Sequence, residues 1–126
     1  MNKIINTYQA PAAIGPYSQA VQAGSLVFVS GQIPLHPETG VLITDNIHEA
    51  SHRVMQNVGA ILKAANLDFS NVVKATIFLK DMNDFASVNE VYASYFAGNY
   101  PARETVQVSR LPKDVQVEIS VIASIN

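Results

Sequence analysis

Two stretches with helical spacing, each lying between runs that resemble strands, constrain the fold of this chain most strongly. In residues 47–65 and again in residues 84–97, apolar side chains recur at the spacing of the buried face of an amphipathic helix. Asn46 followed by Glu49 predicts a capping box at the start of the first helix, and Asn66 predicts its end. Strand-like segments precede, separate and follow the helices, so the sequence predicts the order ββαβαββ.

The strand-like segments indicate a mixed sheet. Residues 20–35 predict two strands joined by a turn at Ala23-Gly24, and residues 26–29 are apolar without alternation, as is typical of a central strand covered on both faces. Residues 72–80 predict one further strand, and residues 100–125 predict a closing antiparallel hairpin. Two helices on one face of this sheet would give an α+β sandwich. The other face has no helix to cover it, which predicts a partner subunit there.

The composition argues against several classes of function. Charged residues make up 14% of the 126 residues, against about 25% in a typical soluble protein, which favours a surface covered by another subunit. A net charge of −2 provides little basic field for nucleic acid or an anionic membrane. The absence of cysteine excludes disulfides, thiolate metal sites and a cysteine nucleophile. Since no N-terminal run is apolar enough for a signal peptide or membrane span, we expect one cytoplasmic domain over residues 1–126.

The predicted hairpin, YPARETVQVSRLPKDVQVEIS, carries two isolated opposite charges on its polar side. If the apolar faces of its strands lie together, Glu118 is opposite Thr105 or Gln107 and shares a face with Arg103. The two charges would then be roughly 7–14 Å apart along the strands. That spacing suits a small anion, because a guanidinium holds a carboxylate with two hydrogen bonds while a nearby carboxylate orients water or passes a proton. The alternative interpretation is a pair of solvated surface charges.

Five segments of the chain resemble the RidA/YjgF family of enamine and imine deaminases, and the similarity runs over essentially the whole sequence. They are APAAIGPYSQA, SGQIP, VVKATIFLKDMNDFASVNEVY, PARETVQVSRLPKDVQVEI and IA. The resemblance implies a chorismate-mutase-like α+β fold and a homotrimer with three sites in clefts between subunits. It also implies deamination of 2-imino acids, such as 2-iminobutanoate and 2-iminopropanoate, to 2-oxo acids and ammonium, with no metal, nucleotide or flavin cofactor.

The same resemblance implies roles for individual residues. Arg103 would bind the substrate carboxylate, and Glu118 would position the attacking water and assist proton transfer. Four further residues would line the cleft: Tyr17, Ser30, Gly31 and Asn89.

Thr105 departs from the family, because many members read PARSCV where this chain reads PARETV. Attack of water on an imine needs no covalent intermediate, so we expect activity to survive the loss of that thiol. The main chain at Thr105 would still bind the substrate through hydrogen bonds, while the substrate preference at this position stays open.

Three other functions compete with this interpretation. The first is a zinc hydrolase, because HEASH, residues 48–52, matches the zinc-binding pattern H-E-x-x-H. The apolar stripe argues against it, since it places the opposite flank of that helix against the core and leaves the histidines without a cleft. A non-catalytic module could use Arg103 to sense a 2-oxo acid. An RNA-directed ribonuclease or translation inhibitor would need a basic groove with stacking aromatics, whereas the cations are scattered over several elements: Lys63, Lys74, Lys80, Arg110 and Lys113.

Overall fold

Two α-helices cover one face of a six-stranded mixed sheet within residues 1–125, which the computed structural model describes. The predicted α+β architecture is therefore confirmed. The elements in chain order are β1 (Lys3–Ile5), β2 (Ala20–Ala23), β3 (Leu26–Gln32), α1 (Ile47–Ala64), β4 (Val72–Leu79), α2 (Phe85–Ala93), β5 (Ala102–Gln107) and β6 (Val117–Ser124). The order has one strand more than predicted, because β1 is a three-residue edge strand and too short to show a period of its own.

Helix α1 begins where the sequence predicts and ends at Ala64, one residue before the predicted end, and within the described residues only one half of the predicted capping box forms. The side chain of Asn46 accepts a hydrogen bond from the backbone N–H of Glu49 at 3.1 Å, which satisfies one of the free donors of the first turn. Past the last turn, Asn66 takes a left-handed backbone conformation with φ of 61°, as is common at helix ends. The helix buries one apolar stripe against β3 and β6: Ala50, Val54, Met55, Val58, Ile61 and Leu62.

Helix α2 ends at Ala93, four residues earlier than the periodicity predicts. The hydroxyl of Ser94 donates to the carbonyl of Val91 at 2.6 Å, and the N–H of Tyr95 bonds to Tyr92 three residues back, so the last turn tightens. Apolar contacts nevertheless continue past the end of the helix: the ring centroids of Phe96 and Tyr92 are 4.8 Å apart.

The prediction of a closing hairpin is wrong. The strand order is β1-β2-β3-β6-β4-β5, so β4 lies between β5 and β6. Strand β5 pairs with β4 in parallel at the edge of the sheet, while β6 pairs antiparallel with both β3 and β4. Alternation along β5 and β6 is the same whichever strands they join, so the local sequence could not identify their neighbours.

The corrected strand order places the two charges on opposite faces of the sheet. Arg103 pairs with Ala75, which is fully buried on the helix face. Glu118 pairs with Phe78, the β4 neighbour of Val106, on the face without helices. Because directly paired residues share a face, the prediction that Arg103 and Glu118 lie on one face of a chain is also wrong.

The face without helices carries apolar side chains that remain accessible. Phe28 and Val106 are each 42% exposed there, and Phe28 pairs with the half-buried Ile122 of β6. No helix within the described residues has both the length and the apolar character needed to cross a membrane.

Candidate active site

The Arg103 guanidinium is held between β5 and the flank of α2. Its Nη1 donates to Oδ1 of Asn89 at 2.6 Å. The guanidinium carbon lies 5.6 Å from the ring centroid of Phe85 and 5.1 Å from that of Tyr92, both within cation–π range. Helical spacing explains the set, since Phe85, Asn89 and Tyr92 follow one another at four and three residues on one side of α2. Three contacts thus fix a flexible side chain in one orientation.

An open cavity of about 470 Å³ adjoins this guanidinium. None of the salt bridges formed within residues 1–125 includes Arg103, so no carboxylate of the described chain compensates its charge. An arginine that keeps several N–H donors after bonding one amide suits a carboxylate ligand. The cavity is lined by Asn89, Tyr92, Ala93, Tyr100, Pro101 and Arg103.

Tyr92 remains a neutral phenol in this cavity. Burial raises its pKa to about 12, and the Arg103 cation only partly opposes that effect. Its hydroxyl is buried without a hydrogen-bond partner within residues 1–125, as is the hydroxyl of Thr105 on the adjacent strand. The helical spacing of residues 84–97 predicts a buried stripe that includes Phe85 and Tyr92. Tyr92 is buried, whereas Phe85 is 37% exposed, so that part of the prediction is wrong. The contact of both rings with Arg103 had no local signal.

The Glu118 carboxyl lies in a second cavity, of about 400 Å³. Burial raises its pKa above the ordinary value for glutamate. No salt bridge within the described residues includes it. A carboxyl group in such surroundings accepts and returns a proton closer to neutral pH than a solvated one does. The lining residues are Pro11, Ala12, Ile14, Tyr17, Gly31, Gln32, Ile33, Leu35, Pro112, Lys113 and Glu118.

A β-bulge brings Gly31 against Glu118. The β3–β6 register shifts between Val29 and Gln32, which places Ser30 and Gly31 in the irregular step. A Cβ built on Gly31 would lie 2.8 Å from Cδ of Glu118 and 3.1 Å from its Cγ, so a methyl group cannot occupy that space while the carboxyl keeps its position. The glycine therefore makes room for the carboxyl.

Ser30 fastens the loop that carries Tyr17. Its hydroxyl donates to the carbonyl of Ser18 at 2.6 Å, and its N–H donates to the carbonyl of Gln19 at 2.9 Å. Tyr17 itself is 53% exposed and borders the cavity from this loop.

Of the seven residues implied by the resemblance, five line one or other of the two cavities. Arg103 and Asn89 line one cavity, and Tyr17, Gly31 and Glu118 line the other. Ser30 and Thr105 line neither, although Ser30 is bonded to the Tyr17 loop and Thr105 is two residues along β5 from Arg103.

Replacing Gly31 with alanine tests the contact with Glu118. The φ of Gly31 lies outside the left-handed region, so the expected cost is steric. We expect a loss of stability of about 1–3 kcal/mol, because the methyl group and the carboxyl compete for one space. Urea unfolding of the variant and the unmodified chain measures this difference.

A double variant provides the control for this prediction. In Glu118→Ala the side chain that meets the new methyl group is removed, so adding Gly31→Ala to it should cost almost no further stability. Equal costs in the two backgrounds would show that Gly31 does not accommodate Glu118.

The histidines of the HEASH segment have other neighbours. Nε2 of His48 lies 3.5 Å from Oε1 of Glu90, and Nδ1 of His52 lies 2.9 Å from the hydroxyl of Tyr95. Both contacts join α1 to the segment that contains α2 and its C-terminal extension. Within residues 1–125 no three histidine or acidic side chains are grouped so as to hold a metal ion.

The chain is similar along almost its whole length to proteins of one family. Residues 7–125 match the family model described as Endoribonuclease L-PSP. A 2-iminobutanoate/2-iminopropanoate deaminase of Mus musculus is 51% identical over 98% of this chain and 91% of that protein. A RutC family protein of Pyrococcus horikoshii is 52% identical over 98% of both chains. The crystal structure of E. coli TdcF with bound serine has a TM-score of 0.93 at 49% identity, covering 97% of this chain and 98% of that one.

Proposed function

Because the chain belongs to the Endoribonuclease L-PSP family, which is the RidA/YjgF family, we propose that it deaminates small 2-imino acids to 2-oxo acids. The substrates would be 2-iminobutanoate and 2-iminopropanoate, as in the name of the mouse relative. The observation that carries the proposal is the Arg103 guanidinium, which is held by Asn89 and two aromatic rings and has no carboxylate partner within residues 1–125. Such a group suits the carboxylate that every 2-imino acid carries.

The active site in this proposal is assembled from two copies of the chain. One chain holds Arg103 on the helix face and Glu118 on the other face, so a single small substrate cannot contact both within one sheet. If the exposed apolar face of one copy packs against the Arg103 edge of the next, the two cavities face each other. The homotrimer implied by the resemblance would bring together three such pairs in the cytoplasm.

Hydrolysis then needs orientation and proton transfer more than activation. The protonated imine is already electrophilic at C2, and Arg103 would fix its carboxylate. As the water oxygen forms its bond to C2, Glu118 takes the water proton and the C=N electron pair moves to nitrogen. Glu118 then returns the proton to nitrogen, and the C–N bond breaks as the hydroxyl oxygen forms the C2 carbonyl. The released ammonia takes up the hydroxyl proton, so imine and water become 2-oxo acid and ammonium.

The direct test uses imines generated in situ. A pyridoxal-phosphate-dependent dehydratase acting on threonine or serine supplies them, and ammonium is measured with and without the purified chain. We expect ammonium release above the rate of spontaneous hydrolysis, in proportion to the amount of chain added. A rate that stays at the spontaneous value over the whole range of added protein would contradict the proposal.

Two rival functions give different results in the same experiments. A carboxylate sensor would bind 2-oxobutanoate but leave the rate of imine hydrolysis unchanged. Cleavage of RNA, which the name of the family suggests, would require cations that are free to bind phosphates, whereas Lys74 lies 3.2 Å from Glu104 and Arg110 lies 2.6 Å from Asp114. Incubation with single-stranded RNA, with and without ribonuclease inhibitor, separates that activity from a contaminant.

A further inference from the structure

Two irregular segments form much of the wall around Glu118. One is the loop between β1 and β2, which contributes Pro11, Ala12, Ile14 and Tyr17. The other follows β3 and contributes Ile33 and Leu35. Neither segment belongs to a helix or a paired strand, apart from a single bridge between Leu35 and Leu42. Other groups must therefore satisfy their backbone and hold them in place.

Gln19 fastens the first wall. Its side chain is 2% exposed and its Oε1 accepts from the N–H of Thr7 at 2.7 Å. Its Nε2 donates to the carbonyls of Thr7 at 3.0 Å, Ala10 at 3.3 Å and Pro11 at 2.8 Å. One buried amide thus takes the place of a strand partner for a loop of irregular backbone.

Asn57 fastens the second wall from helix α1. It is fully buried, and its Nδ2 donates to the carbonyls of Ile33 at 3.1 Å and Leu35 at 2.9 Å. Its Oδ1 accepts from Nε of Arg53 at 3.1 Å. A buried amide on the apolar side of a helix is costly unless its hydrogen bonds are made, and here donors and acceptor all have partners.

We propose that Gln19 and Asn57 are positioning residues that hold the two walls in place around the Glu118 carboxyl and shield it from bulk water. The inference rests on the proposed function, since it concerns the group that would take the proton from water. The other titratable or charged side chains that line the cavity are Tyr17 and Lys113, while Gly31 of β3 and Phe78 of β4 are the neighbours of Glu118 in the sheet. Burial alone accounts for the raised pKa of Glu118. The pKa should therefore fall if the walls move apart and the carboxyl becomes more exposed to solvent.

The test compares Gln19→Met and Asn57→Leu with Asn71→Leu. Asn71 also holds backbone with a side-chain amide, donating to Ser124 at 3.0 Å and accepting from the N–H of Asp68 at 3.0 Å. It lies near the far end of β6, about 20 Å from Glu118 by strand length. In the full chain, carbon-detected NMR titration measures the Glu118 pKa, and the imine assay measures kcat/KM, at a temperature where circular dichroism shows each variant folded.

We expect Gln19→Met and Asn57→Leu to lower the pKa of Glu118 towards the ordinary glutamate value. We also expect them to reduce kcat/KM by about 10- to 100-fold, while Asn71→Leu changes neither. If Gln19→Met or Asn57→Leu does not fold, Gln19→Asn and Asn57→Ser replace them, because both are neutral and polar but too short to keep the hydrogen bonds to the wall carbonyls.

The outcomes separate this inference from the proposed function. If the Glu118 pKa and kcat/KM of the Gln19 and Asn57 variants match those of Asn71→Leu, the two residues are not positioning residues. If the unmodified chain does not accelerate imine hydrolysis, the proposed function fails. The NMR titration alone then decides whether Gln19 and Asn57 shield the Glu118 carboxyl from bulk water.

Discussion

Arg103→Ala is expected to abolish the acceleration of ammonium release, and this is one of the two largest effects that the structure predicts. Two charge-assisted hydrogen bonds to a substrate carboxylate contribute about 1.5–3 kcal/mol each, so kcat/KM should fall on the order of 10²- to 10⁴-fold. Arg103→Lys should recover only part of this, because an ammonium lacks the planar fork and stacks less well between Phe85 and Tyr92. Steady-state kinetics on in situ imines and titration with 2-oxobutanoate measure rate and affinity.

Arg110→Ala is the matched control for this prediction. Arg110 is an exposed arginine whose two hydrogen bonds, at 2.6 Å and 3.1 Å, go to Asp114. We expect its removal to leave kcat/KM and 2-oxobutanoate affinity unchanged. Normal activity in Arg103→Ala, or an equal loss in Arg110→Ala, would remove the assignment of Arg103.

Mixing two inactive variants tests whether each site draws on two chains. If each site takes Arg103 from one copy and Glu118 from the next, a site is intact where the Glu118→Gln chain supplies Arg103 and the neighbouring Arg103→Ala chain supplies Glu118. Co-expression of the two should therefore restore about a quarter of the sites if subunits combine at random. A site contained in one chain gives no restoration, because every chain then lacks one of its two residues.

The helices of this fold were predictable because their signals are local. The apolar spacing of α1, its Asn46 cap and its end near Asn66 all depend on residues within a turn of one another. The position of β6 between β3 and β4 depends instead on contacts between strands that are distant in sequence. Alternation in β5 and β6 indicates two faces but does not indicate which face meets the helices, and that is why Arg103 and Glu118 were wrongly placed together.

The hairpin pattern singled out Arg103 and Glu118, although for a strand pairing that does not form, and the family resemblance implied the other residues of the candidate site. The residues that it implied fall mainly into two cavities, while the amides that hold one of them were not anticipated. In sequence Gln19 is a polar residue of a loop and Asn57 is a polar residue of a helix, and both types are usually exposed. Their burial follows from the path of the backbone above them, which only the tertiary structure reveals.

The two half-sites suggest why the face without helices is left uncovered. Glu118 lies on that face together with apolar side chains such as Phe28 and Val106. An interface there would bury apolar surface and at the same time exclude bulk water from the carboxyl. Electrostatic interactions between the carboxyl and a charged substrate are stronger in such surroundings. In this proposal association and catalysis therefore use the same surface, and a variant that weakens association, such as Phe28→Glu, would also lower the activity per chain.

Glu118→Gln is the second change with a large expected effect, and it separates an enzyme from a sensor. Removing a general base reduces rates by about 10²- to 10⁴-fold, so kcat should fall by that order while 2-oxobutanoate still binds through Arg103. Glu104→Gln is the matched control, because Glu104 is an exposed carboxylate of β5 paired with Lys74. Binding of 2-oxobutanoate with no turnover in either protein would favour the sensor, whereas an unchanged kcat in Glu118→Gln would remove Glu118 as the base of the mechanism.

The pH dependence of the same variant gives an independent check. Because burial raises the pKa of Glu118, the proposed activity of the unmodified chain should lose kcat/KM as the pH falls through a value above that of ordinary glutamate, where the carboxyl becomes protonated and cannot take a proton. The residual kcat/KM of Glu118→Gln should not fall in this way as the pH is lowered. The folded state also binds this proton more tightly than the unfolded chain does, so the carboxyl destabilises the fold progressively as the pH rises through the raised pKa. Urea unfolding should accordingly find Glu118→Gln more stable than the unmodified chain at pH 7 and no more stable at pH 4, a pattern that a carboxyl in open solvent would not produce.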